Sequence, residues 1–126
     1  MLDADDIEHA SRISELGGML VANLPPDMAP DRLERLAQAV LQRLASRPWR
    51  TVVLDCSAVL VMDSHDFARL ADLGGMCQLL GARAYLAALN PGIAIHLALT
   101  QSEAPALRFC RDLDHARSMA EAEAAS

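Results

Sequence analysis

The sequence predicts an α/β fold: a mostly parallel, mixed β-sheet of about five strands with about four helices, opened by an N-terminal β-hairpin. Three observations predict it. Short apolar runs alternate with segments whose apolar residues recur at helical spacing. A Gly-Gly pair separates two short apolar runs near the N-terminus. The run "TVVLDC" is β-branched and bounded by turns, as a buried parallel strand is.

Element by element, "RISEL" (12–16) and "MLVANL" (19–24) flank Gly17-Gly18 and read as the hairpin. The prolines of "LPPDMAPD" forbid a continuing strand and prepare a helix start. From Pro30 or Asp31, the residues Leu33, Leu36, Ala37, Val40, Leu41 and Leu44 form one apolar stripe. Pro48 ends that helix. "TVVLDC" (51–56) is the next strand. Asp63 or Ser64 opens a second helix with Phe67, Leu70, Leu73, Gly74, Cys77 and Leu80 inward and Gly81 as its C-terminal stop. "AYLAAL" (84–89) is a strand, and "NPGIAIHLALT" (90–100) is a short helix with Pro91 early. "LRFC" (107–110) fits an edge strand. "DLDHARSMAEAEA" (112–124) is the last helix, capped by Asp112 or Asp114, and the Ala/Glu tail from Ala120 is expected to fray.

The chain of 126 residues reads as one domain, with a core over about 12–119 and a short acidic N-terminus. Aromatic residues are only 3% of it, so the core must be aliphatic. The net charge of −6 and the scatter of its 11 arginines argue against a nucleic-acid partner and against an anionic membrane surface. An acidic domain of this size can instead meet a basic patch on a partner protein. No apolar run approaches the ~20 residues of a membrane span. "MLDADDIEHA" is acidic, unlike a secretory leader, so the expected compartment is the cytoplasm. The three cysteines lack a C-x-x-C pair, and His9, His96 and His115 stand apart, so neither a metal nor a cofactor is expected. His65 beside Cys56 or Cys77 could suggest a nucleophile pair, but both cysteines sit at core positions and no catalytic residue is assigned.

"VLVMDSHDFARL" (59–70) carries the chemistry. An apolar run hands over to a helix at Asp63-Ser64. Both are N-cap types, so plain capping is one reading. The same place, with free amides and the positive end of the helix dipole, also suits a phosphate on Ser64. Beside Asp63 and Asp66 that phosphate would build a dense negative spot. Asp55, at the end of its strand, is expected to satisfy loop amides near this step. Gly74-Gly75 inside a helix suggests either close packing on the sheet or a flat surface for another subunit. "NPGIAIHLAL" is apolar enough to leave an exposed patch for assembly.

Three stretches, "VVLDCSAVLVMDSHDFARL", "LLGARAYLAALNPGIAIHL" and the layout of the N-terminal half, resemble the STAS family of sulfate-transporter and anti-sigma-factor-antagonist domains. Within that family the likeness is to the small single-domain scaffolds of bacterial stressosomes. It spans about Arg12 to Met119, and its most specific parts are the strand-then-"DS" step, "LLGA" (79–82) and "NPGIAI" (90–95). The resemblance implies a non-enzymatic regulator. Ser64 would be the acceptor of a serine/threonine switch kinase, with Asp63, His65, Asp66 and Asp55 as its neighbours. STAS-domain co-scaffold proteins in a homo- or hetero-oligomer, and a phosphatase, would be the other partners. Relatives usually continue with apolar residues where His65-Asp66 stands here. His96 takes the position of a second regulatory threonine, so a second phosphorylation is not expected there. Thr100, one turn on, does not match that motif. Alternatives are a one-to-one antagonist of an anti-sigma kinase, an accessory subunit of a lipid or anion transport ATPase, and a small hydrolase using Cys or His.

Overall fold

A computed structural model describes residues 12–125. His9 and the acidic stretch read against a secretory leader lie outside them. The order is β1 (Ile13–Leu16), β2 (Met19–Asn23), α1 (Pro30–Ser46), β3 (Thr51–Asp55), α2 (Ser64–Leu79), β4 (Arg83–Ala87), α3 (Pro91–Leu99), β5 (Leu107–Cys110) and α4 (Leu113–Ala125). The strands lie in sequence order in one five-stranded sheet. β1 pairs with β2 antiparallel; all other pairs are parallel. Gly17 and Gly18 close the hairpin with φ of +57° and +80°, the positive pair that a tight two-residue turn requires.

The central strands are buried on both faces, and their period of two divides the core. Leu20, Ala22, Val52, Leu54, Ala84 and Leu86 meet one face's helices. Those are α1, through Leu33, Leu36, Val40 and Leu44; α2, through Phe67, Leu70, Leu73 and Cys77; and α3, through Ile93 and Leu97. Met19, Val21, Val53, Tyr85 and Ala87 point the other way, against Ala116 and its neighbours on α4. This is why "TVVLDC" shows no alternation of apolar and polar residues: both of its faces are covered. Among the described residues, no helix is long and apolar enough to cross a membrane.

Each expected element is present, but Leu80, expected on the inner face of α2, is 45% exposed. Asp63 caps α2, and Ser64 is the first helical residue rather than the cap. α4 runs to Ala125, through the Ala/Glu tail. Glu123 holds it there, accepting from Arg108 Nε at 2.8 Å and pairing with Arg83 Nη1 at 2.9 Å. Asp112 is the residue at the start of α4 whose Oδ1 accepts from the His115 amide, at 2.8 Å.

The two mid-helix glycines separate. A Cβ at Gly74 would lie 2.8 Å from Leu107 Cδ2 and 3.2 Å from the Ala106 carbonyl oxygen, so Gly74 lets α2 approach β5 closely. A Cβ at Gly75 would meet nothing within 4 Å. Gly75→Ala is therefore expected to stabilise the isolated protein by about 0.5–1 kcal/mol, the gain in helix propensity. Gly74→Ala should fall well short of that gain. Urea midpoints of the two variants check this.

Candidate functional site

The site is built at the C-terminal end of β3, where the chain leaves the sheet and starts α2. Asp63 sits in extended backbone, with φ −96° and ψ 179°, which suits an N-cap. Its Oδ1 accepts from the Asp66 amide at 2.7 Å, and Asp66 Oδ2 accepts in return from the Asp63 amide at 3.2 Å. This is a capping box with aspartate in the place usually held by glutamate or glutamine. The bond from the Asp66 amide is the main reason the Asp63 carboxyl titrates below its ordinary 3.8. A carboxyl whose pKa is depressed on folding adds stability above its unfolded pKa, and loses it as the pH falls through the folded value. The stability advantage of the native chain over Asp63→Ala should thus hold at neutral pH and shrink below about pH 4. Urea titrations at pH 7 and pH 3 check it.

With the cap supplied by Asp63, the Ser64 hydroxyl is left exposed and without a hydrogen-bond partner among the described residues. His65 is exposed, its Nε2 3.2 Å from Arg69 Nη2 one turn on. The loop before the cap carries Leu60 at 75% and Val61 at 59% exposure, two apolar side chains set out in solvent just ahead of the serine.

A shallow depression of about 430 Å³ joins this helix start to α3. Asp63, Asp66, Asn90 and His96 line it together with Leu60 and Val61. Asn90 caps α3, its Oδ1 accepting from the Gly92 amide at 2.8 Å. His96, read in the sequence as a residue replacing a regulatory threonine, is thus brought beside the two aspartates that bracket Ser64 and His65. The Thr100 hydroxyl is engaged elsewhere, donating to the Leu97 carbonyl at 3.1 Å. Asp55 lies at the root of the loop rather than in this depression, its Oδ1 accepting from the Ser57 amide at 2.9 Å. It satisfies a loop amide and does not line this depression.

Further along α3, Ile95 and Leu99 stand 62% and 78% exposed, so the apolar character of "NPGIAIHLAL" is in part a surface property. That surface was legible from composition. The exposure of Leu60 and Val61 was not, because in sequence they simply extend the apolar run after the strand.

The cysteines are poor nucleophiles. Burial pushes the thiols of Cys56 up to about 12 and of Cys77 and Cys110 up to about 11, so little thiolate exists near neutrality. Among the described residues, no group of three His, Cys, Asp or Glu side chains is placed to hold a metal ion.

No family profile matches the sequence, and no curated protein does. Solved structures do match its fold. A variant of RsbS from Moorella thermoacetica, with a serine replaced by glutamate, superposes with a TM-score of 0.75 at 18% identity. The match covers 90% of this chain and 97% of that one. A chain from the stressosome, described as a signal integration and transduction hub, gives 0.71 at 18% identity, covering 90% and 99%. An anti-sigma-factor antagonist (STAS) domain protein from Planctomyces limnophilus gives 0.66 at 17%, covering 86% and 97%. With its N-terminal hairpin, its five-stranded mixed sheet and these superpositions over nearly whole chains, the protein has the STAS fold.

Proposed function

We propose that the protein is a non-enzymatic regulatory STAS protein of the cytoplasm, an anti-sigma-factor antagonist or stressosome scaffold controlled by phosphorylation of Ser64. One observation carries this reading. The helix start is already closed by the Asp63–Asp66 box, so the Ser64 hydroxyl has no structural duty and is open to a kinase. A phosphate there adds about −1.5 to −2 charge. It would stand beside Asp63 and Asp66 and next to the exposed Leu60 and Val61. A partner seated on those apolar side chains would meet a dense negative spot, and an apolar or acidic contact would be lost.

The partners in this reading are those that the family resemblance implies. A serine/threonine switch kinase is held, STAS-domain proteins form the scaffold with this chain, and a phosphatase resets Ser64. The exposed Ile95 and Leu99 on α3 favour assembly with other STAS domains over a one-to-one antagonist. Phosphopeptide mass spectrometry on the protein from its own host, before and after stress, tests the reading. Phosphate on Ser64 that changes with stress supports it, and an unmodified Ser64 under every condition overturns it. Light scattering of the protein with its STAS partners separates a large scaffold from a one-to-one complex.

A further inference from the structure

At the end of the sheet opposite Ser64, a cavity of about 580 Å³ opens between the Gly17-Gly18 turn, the start of β3 and the second half of α4. Its walls gather charge that the sequence scatters. Arg50, Arg83 and Arg117 line it, against Glu121 and Glu123, and Arg108 joins from β5 through Glu123. Glu123 is shared by two guanidiniums, those of Arg83 and Arg108. Arg50 and Arg117 have no ion pair among the described residues, in a chain that carries 17 acidic residues and a net charge of −6. A Cβ at Gly17 would collide with the Arg117 guanidinium, so that side chain lies directly over the bare backbone of the turn.

A second, independent feature points into the same place. Tyr85 lines the cavity with its side chain fully buried, and its hydroxyl has no hydrogen-bond partner among the described residues. Burial, and then the Glu123 carboxylate beside the hydroxyl, push its pKa up to about 12. The hydroxyl therefore remains a neutral donor. Buried polar groups in native proteins nearly always have a partner, and an orphan in a cavity calls for one from outside the chain.

We infer that this cavity binds a small phosphorylated ligand, its phosphate held by Arg50 and Arg117 with the Tyr85 hydroxyl as a third donor. Guanidiniums match phosphate oxygens in bidentate geometry, and an O–H donor adds to the same acceptor-rich group. The volume exceeds what a bare phosphate fills and lies in the range of small-molecule sites. The remainder of the ligand would rest against Met19, Ala120 and Ala124. The chain's overall negative charge favours a soluble phosphorylated metabolite over a lipid headgroup in an anionic membrane.

The test is an amide NMR titration with inorganic phosphate and then pyrophosphate, at ionic strength held constant with sodium chloride. Saturable shifts at Gly17, Gly18 and Gly81 and at the Tyr85 ring are expected, with pyrophosphate the tighter of the two. The double variant Arg50→Ala, Arg117→Ala should raise the apparent Kd at least tenfold. Both side chains are exposed and without ion pairs among the described residues, so the variant's spectrum should remain that of the folded protein. Absence of saturable shifts, or an affinity the double variant leaves unchanged, overturns the inference. Sedimentation with vesicles containing phosphatidic acid is the second arm. Binding to them without a response to pyrophosphate would give the phosphate to a lipid and overturn the soluble-ligand reading.

Discussion

Ser64→Ala is expected to abolish phosphate acceptance from the cognate kinase while leaving the fold as stable as the native chain, within about 0.5 kcal/mol. Both halves follow from the division of labour at the start of α2. Asp63 makes the cap and Ser64 makes no hydrogen bond among the described residues, so alanine removes only an exposed hydroxyl. Alanine also suits a first helical turn. Were Ser64 the cap, the same change would cost about 1 kcal/mol. Ser64→Glu should weaken kinase binding towards the phosphorylated level, because it places a permanent charge beside Asp63 and Asp66. Intact-mass spectrometry after kinase treatment, urea melts and pull-down of the kinase measure the three quantities. Stable folding with residual phosphate on another residue would move the acceptor elsewhere and sink the assignment.

Leu70→Ala on α2 is expected to be strongly destabilising, costing about 2–5 kcal/mol. Leu70 is fully buried at the middle of the helix, in the cluster that includes Leu36 of α1 and Leu86 of β4. Deleting its methyl groups leaves a cavity between three elements that cannot all collapse together. Against a typical total stability of about 5–15 kcal/mol, the loss should move the urea midpoint well down. Leu79→Ala on the same helix is the control. Leu79 is 87% exposed, so its truncation should change stability by no more than about 0.5 kcal/mol. Comparable losses for the two variants would contradict the packing described for α2.

The elements were readable because each carries a local reason. The stripe on α1, the Gly-Gly turn and the short β-branched run of β3 are each specified within a few residues. The choice between Asp63 and Ser64 as cap was not, since both are good N-cap residues. It is decided by Asp66 three residues beyond Asp63, which completes the reciprocal box. What holds the tail was hidden for a different reason. Ala and Glu in alternation look solvated, and the arginines that hold Glu123 come from β4 and β5, 40 and 15 residues away along the chain. The same distance hid the arginine cavity, whose Arg50, Arg83 and Arg117 come from three different segments. Proximity of His96 to Asp63 likewise required the crossing of two loops at the end of the parallel strands. Sequence patterns report what neighbours along the chain agree on. They are silent on what the sheet brings together.

Helix α2 has one end at the Asp63 cap and the other at the turn through Gly81, which borders the arginine cavity. Its 16 residues span about 24 Å. That is two to three Debye lengths at physiological salt, so a charge placed at one end is electrostatically invisible at the other. The two ends can therefore act as separate inputs. Between them, Gly74 seats the middle of α2 against β5, where a Cβ would lie 2.8 Å from Leu107 Cδ2.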